Sequence, residues 1–221
     1  MPTTMPTNLP PVTRNLLIAN ILVFALQYLL RDQDTLALTR WFALWPYGRD
    51  IAVDLGGGDV AGIGFRLWQL VTYGFMHGSI MHIVLNMYAL YMFGGLIERV
   101  MGTRRFTVYY FTCLVAAAVA QLAVVYLFEP ERMYPTVGAS GAVFGLLGAF
   151  AMLFPREKLM LIPIPIGIPA WLFVTLYGAA ELVFGVTGTL SGIAHFAHLG
   201  GLMAGLCLLW AWGVRPPPRS F

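Results

Sequence analysis

The sequence predicts an all-α, polytopic membrane protein: a bundle of six transmembrane helices with a long, membrane-associated first outer loop. Three observations predict it. First, 59% of the 221 residues are hydrophobic and only 10% are charged, whereas a soluble domain carries about 25% charged residues. That leaves too little polar surface to cover a water-soluble sphere, and the same figures exclude intrinsic disorder. Second, six stretches contain no Asp, Glu, Lys or Arg: 15–30, 67–97, 106–128, 133–155, 159–180 and 182–214. Third, the basic residues are divided unevenly between alternate loops, as membrane topology requires.

Residues 1–13 are rich in Pro and Thr (Pro2, Pro6, Pro10, Pro11) and read as a disordered lead-in. They do not read as a cleavable signal peptide, because no basic region precedes the first apolar run and no small-residue motif follows it. A span needs about 20 apolar residues. Five runs meet that length, and Val12 and Thr13 extend the first if Arg14 snorkels. The expected spans lie near 13–31, 69–97, 105–128, 138–154, 168–186 and 192–213, forming one domain over 14–214 with a short tail at 215–221. Pro163, Pro165 and Pro169 cannot sit in a helix interior, so the fifth span starts after them. In the 32–66 loop, Trp41, Phe42, Leu44, Trp45 and Tyr47 are too aromatic for a free loop. The segment is expected to lie in the membrane interface, as an aromatic belt or with a further role, and Gly56–Gly58 mark a turn within it.

Orientation follows from the loops. One side carries Arg14, Arg99, Arg104, Arg105, Arg156, Lys158, Arg215 and Arg219. The other carries Arg31, Arg40, Arg49, Arg66 and Arg132 among seven carboxylates. The first side, with both termini, is expected in the cytoplasm. The same scatter of bases at span ends accounts for the net charge of +3 without a nucleic-acid partner. Cys113 and Cys207, deep in apolar runs, read as buried small hydrophobes rather than a disulfide or a zinc site. No internal repeat of the kind a transporter would carry is found.

Polar groups inside spans are costly and need a reason. They are His77, His82, Asn86, Ser140, Glu181, His195 and His198. Ser140, in Gly138-Ala139-Ser140-Gly141, opens the fourth span, where unpaired N–H groups and the helix dipole can hold an oxyanion. Gly141, Gly145 and Gly148 permit close helix approach; by itself the string fits a small-residue packing motif better than a catalytic one. In the last span, His198, Gly201 and Gly205 share a face. Both spans start on the outer side, so Ser140 and His198 can meet, and a Ser–His pair is the minimum for nucleophilic catalysis. No Asp or Glu falls near enough in pattern to orient the histidine, which points to a dyad. His82 and Asn86, four residues apart, share a helix face and suit either an oxyanion site or an interhelical hydrogen bond.

With these residues in view, the chain resembles the rhomboid intramembrane serine proteases over roughly 14–214. The marks are the GASG of Gly138–Gly141, the AHxGG of Ala197–Gly201 and the HxxxN of His82–Asn86, with Trp68, Glu98-Arg99 and Gly102 in support. The resemblance implies Ser140 as nucleophile, His198 as general base, and His82, Asn86 and the Ser140 N–H as the oxyanion site. It implies that Phe144, where the family commonly has Tyr, packs on the imidazole. Gly138, Gly201, His77 and His195 are the expected supporting residues: His77 lining the site, His195 structural or beside its water. Gln69 stands where the family commonly has Arg. Glu98 and Arg99 are expected to hold the inner loop together, and Glu181 reads as structural, near water.

The function expected is hydrolysis of peptide bonds in or near transmembrane segments of other membrane proteins, the substrate unwinding locally at small or helix-breaking residues. No cofactor and no metal is implied. The partners are transmembrane substrates and the bilayer, with no nucleic acid and the oligomeric state open. The expected location is the bacterial inner membrane, both termini cytoplasmic and the site opening outward. The alternative is a proteolytically inactive rhomboid-like protein that binds membrane clients; a channel or transporter is disfavoured. The fifth span, flanked by Pro163, Pro165, Gly167, Pro169, Gly185 and Gly188, is expected to yield sideways to substrate, with the 185–192 link moving as a cap.

Overall fold

A helix that begins at a proline needs other acceptors for its first N–H groups. The first helix, α1 (Pro11–Phe42), has Pro at its start. The buried carboxylate of Glu98 accepts Val12 N–H at 3.1 Å, Thr13 N–H at 2.7 Å and the Thr13 hydroxyl at 2.8 Å. That tie draws helix structure into the expected lead-in, so α1 begins three residues before the expected domain boundary. It also runs on to Phe42, into what was expected to be loop. The computed structural model describes residues 8–48, 51–54, 60–129, 131, 134–161, 164–189 and 193–214. Residues 1–7, the Gly56–Gly58 turn, residues 190–192 of the expected cap and the 215–221 tail lie outside these.

The first connection is pinned rather than free. Leu44 and Thr136 exchange backbone hydrogen bonds at 3.0 and 2.9 Å. β1 (Ile51–Asp54) and β2 (Val60–Ile63) pair antiparallel, Ile51 opposite Ile63. Gln69, fully buried, accepts from Trp45 N–H and Arg66 N–H through Oε1 and donates through Nε2 toward the Arg40, Trp41 and Gly64 carbonyls. A neutral amide, both donor and acceptor, thus fastens the loop where the family commonly has Arg. Beside it, Trp68 stacks on Trp41 and donates to its carbonyl at 2.7 Å.

The second span is not one helix from residue 69. The short α2 (Gln69–Thr72) and a 3-10 turn (Tyr73–Phe75) end at an extended Met76. Ser79 then caps α3 (Ile80–Ala89), its hydroxyl accepting His82 N–H at 3.1 Å, the usual use of Ser at a helix start. A π-helical turn over Leu90–Gly94 leads into α4 (Gly95–Met101). Then come α5 (Thr103–Phe128), α6 (Ser140–Leu153), a hairpin of β3 (Lys158–Leu161) and β4 (Ile164–Pro169), α7 (Ala170–Thr187) and α8 (His195–Ala211). Of the prolines before the fifth span, Pro165 and Pro169 lie in strand β4, with Lys158 opposite Pro169; Pro163 lies outside the described residues.

Four segments are long and apolar enough to cross a membrane: Pro11–Leu30, Ile80–Met101, Thr103–Phe128 and Ala170–Thr187; α6 and α8 are apolar but shorter. Large side chains such as Leu22, Leu29, Val84, Tyr88, Phe128, Val186 and Trp210 lie exposed around the bundle, the belt that lipid covers. By contrast, eleven of the fourteen residues of α6 are buried. A 14-residue helix is about 21 Å long, less than the roughly 30 Å hydrocarbon core, so at least one of its ends lies at membrane depth. Irregular backbone there is tolerated only inside protein or along a cavity, and residues 134–139 meet that condition. They carry the Thr136 pairing and the Gly138 N–H bond to the Tyr73 carbonyl at 2.9 Å.

α8 is held between α5 and α6 by contacts that only glycine allows. A Cβ on Gly201 would overlap the Gly141 carbonyl, and one on Gly200 would press into Ala120 and the Ala116 carbonyl. Cys113 is buried, as expected; Cys207, expected to be buried, is exposed on α8.

Candidate active site

The start of α6 puts Ser140 in the first turn, and α8 carries His198 one turn in from its own start. The close α6–α8 crossing at Gly141 and Gly201 brings the two side chains together: Ser140 Oγ lies 2.8 Å from His198 Nε2. Phe144, one turn along α6, stacks flat on the imidazole with ring centroids 4.3 Å apart and planes 7° apart. That fixes the plane in which the histidine nitrogens lie. Tyr177 of α7 packs on the far side of Phe144 at 4.8 Å.

His82 comes to the same place from α3. Its Nδ1 accepts the Gly78 N–H at 3.4 Å, which leaves the proton on Nε2. Gly138 makes room for that nitrogen. Its φ of +126° disfavours any side chain, and a Cβ there would lie 2.7 Å from His82 Nε2 and 3.6 Å from Ser140 Oγ. Asn86 is buried one turn along, and its amide gives one N–H to the His82 carbonyl at 3.0 Å, leaving a second.

Ser140, His198, His82, Asn86 and Phe144 all line one cavity of about 530 Å³ between α3, α6, α7 and α8. Val143, Leu147 and Ile193 add apolar wall, and Tyr134–Val137 form its rim. The arrangement offers a hydroxyl with a base on its proton, and N–H donors from an imidazole, an amide and a helix N-terminus facing the same space. That is the set acyl transfer uses.

Two expected neighbours lie elsewhere. His77, expected to line the site, is buried in the break before α3. Its ring packs edge-on against Phe24 and His82, and its backbone is bonded on both sides by the Gln27 amide. His195, expected to be structural or beside the site's water, lines a second cavity of about 690 Å³ with Gln121, Phe184 and Thr189. Its Nε2 is held there by the Thr189 carbonyl at 3.0 Å.

The residue that sequence reasoning missed is Glu181. It was expected to reach water and to serve structure; it is buried. Its Oε2 lies 2.6 Å from His195 Nδ1 and 3.0 Å from His198 Nδ1. The expectation that no carboxylate comes near the histidine is therefore corrected. A signal existed: a carboxylate within a span needs a partner, and the last span offered two imidazoles.

Fold and site together define a class: a polytopic helical membrane protein with a hydrogen-bonded serine and histidine in a cavity among its helices. The family model described as Rhomboid domain matches residues 64–215, and the chain belongs to that family. It is 32% identical over 142 residues to the mitochondrial Rhomboid protein 1 of Saccharomyces cerevisiae, covering 64% of this chain and 41% of that protein. It is 31% identical to Rhomboid protease GluP of Bacillus subtilis, over 66% of this chain and 26% of that one. To Rhomboid protease GlpG of Klebsiella pneumoniae it is 29% identical over 91% of this chain and 63% of the other. The chain thus spans between about a quarter and two thirds of the length of these relatives.

Proposed function

We propose that the protein is an intramembrane serine endopeptidase that hydrolyses peptide bonds in or near transmembrane segments of other membrane proteins. The observation that carries this reading is the 2.8 Å contact between Ser140 Oγ and His198 Nε2 inside an intramembrane cavity. The protease names of relatives from two bacteria support it.

In the mechanism, His198 Nε2 takes the Ser140 proton as Oγ attacks the scissile carbonyl carbon. The negative charge gathers on the former carbonyl oxygen, where His82 Nε2–H, the free Asn86 N–H and the Ser140 backbone N–H can meet it. His198 then gives its proton to the leaving amine. Water, deprotonated by the same imidazole, releases the acyl group. Leu85 and Ala89 of α3 and Tyr177 of α7 flank the cavity, where a substrate in the bilayer could enter between the two helices. The charge pattern of the loops supports both termini in the cytoplasm and a site opening to the other side; a reporter fused to the C-terminus and active only in cytoplasm checks that.

The test is cleavage of a model transmembrane substrate by purified protein in detergent or vesicles. Wild type is expected to give a discrete product, and Ser140→Ala, folded and extractable, none. Wild-type turnover in Ser140→Ala sinks the mechanism.

A further inference from the structure

The polar cluster does not end at Ser140 and His198. It continues, through His198 Nδ1, to Glu181 of α7 and on to His195 of α8. Glu181 is buried, and its Oε2 faces both imidazoles, 2.6 Å from His195 Nδ1 and 3.0 Å from His198 Nδ1. His195 Nε2 lies 3.0 Å from the Thr189 carbonyl oxygen.

Proton placement follows from what each partner can do. A carbonyl oxygen only accepts, so His195 Nε2 carries a proton and donates to Thr189. His195 Nδ1 and Glu181 then share one more proton across 2.6 Å. The pair is either neutral imidazole with carboxylic acid or imidazolium with carboxylate, and either way it is held in place at both ends.

For His198 the argument runs through its function. To accept the Ser140 proton at Nε2, the neutral ring must keep its own proton on Nδ1. That nitrogen is buried and has no aligned hydrogen bond. The acceptor beside it is Glu181 Oε2, 3.0 Å away but off the line of the N–H. Active-site hydrogen bonds are often poorly aligned before substrate binds and tighten once it does.

On the reading of Ser140 and His198 given above, we propose that Glu181 is a positioning residue for His198, making the site a Ser–His–Glu arrangement with His195 as the holder of the carboxylate. Glu181 keeps His198 in the tautomer with Nε2 free and faces the imidazolium that forms when Ser140 gives up its proton. No proton moves to Glu181 from His198: Nδ1–H stays on the ring while Nε2 gains and returns the Ser140 proton. Phe144 fixes the plane of the ring, and the carboxylate fixes its rotation within that plane. The other titratable groups facing the pair are His82 of α3 and Tyr177, one turn back on α7.

The test is Glu181→Gln, which keeps shape and hydrogen-bonding capacity but removes the charge and lets the wrong tautomer form. Three quantities are read: kcat and KM on a transmembrane substrate, the rate at which a fluorophosphonate labels Ser140, and the melting temperature. A positioning role lowers kcat and the labelling rate, by up to on the order of 10⁴-fold, with KM and melting temperature near wild type. A packing role leaves kcat unchanged in this isosteric variant, and wild-type kcat and labelling in Glu181→Gln overturn the proposal. A second measurement needs no variant: 15N-histidine spectra of the wild-type protein. They should show His198 protonated at Nδ1, with a downfield proton that exchanges slowly. An Nδ1 proton exchanging as fast as that of free imidazole overturns the proposal even if Glu181→Gln fails to fold. The two readings fail separately. If wild type neither cleaves nor labels at Ser140, the protease assignment is wrong; if it does both and Glu181→Gln matches it, only the role of Glu181 is wrong.

Discussion

The α6–α8 pair and α7 flank the same cavity and are built in opposite ways. α6 and α8 meet backbone to backbone at Gly141 and Gly201, and Tyr109 ties the pair to α5 through its bond to the Gly145 carbonyl at 2.6 Å. α7 exposes Leu176, Leu182, Val183 and Val186 outward, and among the described residues its polar tie to α8 is the buried Glu181. On the proposed reading, the contrast suits a site in which Ser140 and His198 must hold position while a neighbour gives way. Gating elements come from the weakly held parts of a fold. It also means that the one carboxylate fastening α7 reaches both histidines of α8.

Breaking the rigid pair should have the largest effects. Losing a nucleophile or base from a unit costs about 10⁶-fold in kcat in the best-measured case. His198→Ala should therefore remove cleavage, and the Ser140→Ala/His198→Ala double variant should be no worse than either single, read by product formation over long incubation. A double variant clearly slower than both singles would mean that the two act independently.

Gly201→Val comes next. No rotamer of valine avoids the Gly141 carbonyl, so the helices must part. Overpacking costs about 1–3 kcal/mol, and the backbone neighbour puts this case at the upper end. Activity should be lost and melting temperature should fall together; full activity would show that the glycine contact does not set the Ser140–His198 distance.

Asn86→Ala sharpens the comparison from the α3 side. Loss of one oxyanion donor costs about 2.7–4 kcal/mol at its strongest. With His82 and the helix N-terminus sharing the charge, kcat should fall by roughly ten- to a thousandfold at unchanged KM. A changed KM with wild-type kcat would make Asn86 a substrate-binding residue.

Last come the contacts by which α7 would give way. Cysteines at Leu85 and Tyr177, joined by a short bifunctional linker in a background without Cys113 and Cys207, should suppress cleavage of transmembrane substrates. If the linked protein cuts as fast as the unlinked one, substrate does not pass between α3 and α7. Of the bulky residues on α7, Phe173 packs in a cluster that also holds Phe93 of the second span, whereas Phe184 lies edge-on to His195 and Trp171 is half exposed. Phe173→Ala should raise cleavage of transmembrane substrates a few-fold, and Phe184→Ala should not, in parallel initial-rate assays.

What the sequence determined by itself is what local chemistry determines. The apolar runs set the number of spans, and the offsets of Ser140, His198, His82 and Asn86 placed them near the same ends of their helices. The glycine face at Gly201 announced close approach before any partner was known. Hydropathy and helical period act within one segment, so one segment suffices to read them.

Contacts across helices were decided only by the tertiary structure. Glu98 draws the start of α1 back to Pro11 from 85 residues away. The break at Met76–Ser79 depends on a serine cap and removes His77 from the cavity. Gly138 had a visible place in a motif, but that it makes room for the His82 ring depends on α3 lying against it. Glu181 is the clearest case. It sits 14 residues from His195 and on another helix, so its value to His198 is fixed by how α7 rotates and packs on α8. Gly178 and Gly185 share its face and meet α8 at Leu202 and His195, but which side chains of α8 lie opposite is decided by the partner helix, where a buried carboxylate and two buried imidazoles left without one another would be costly.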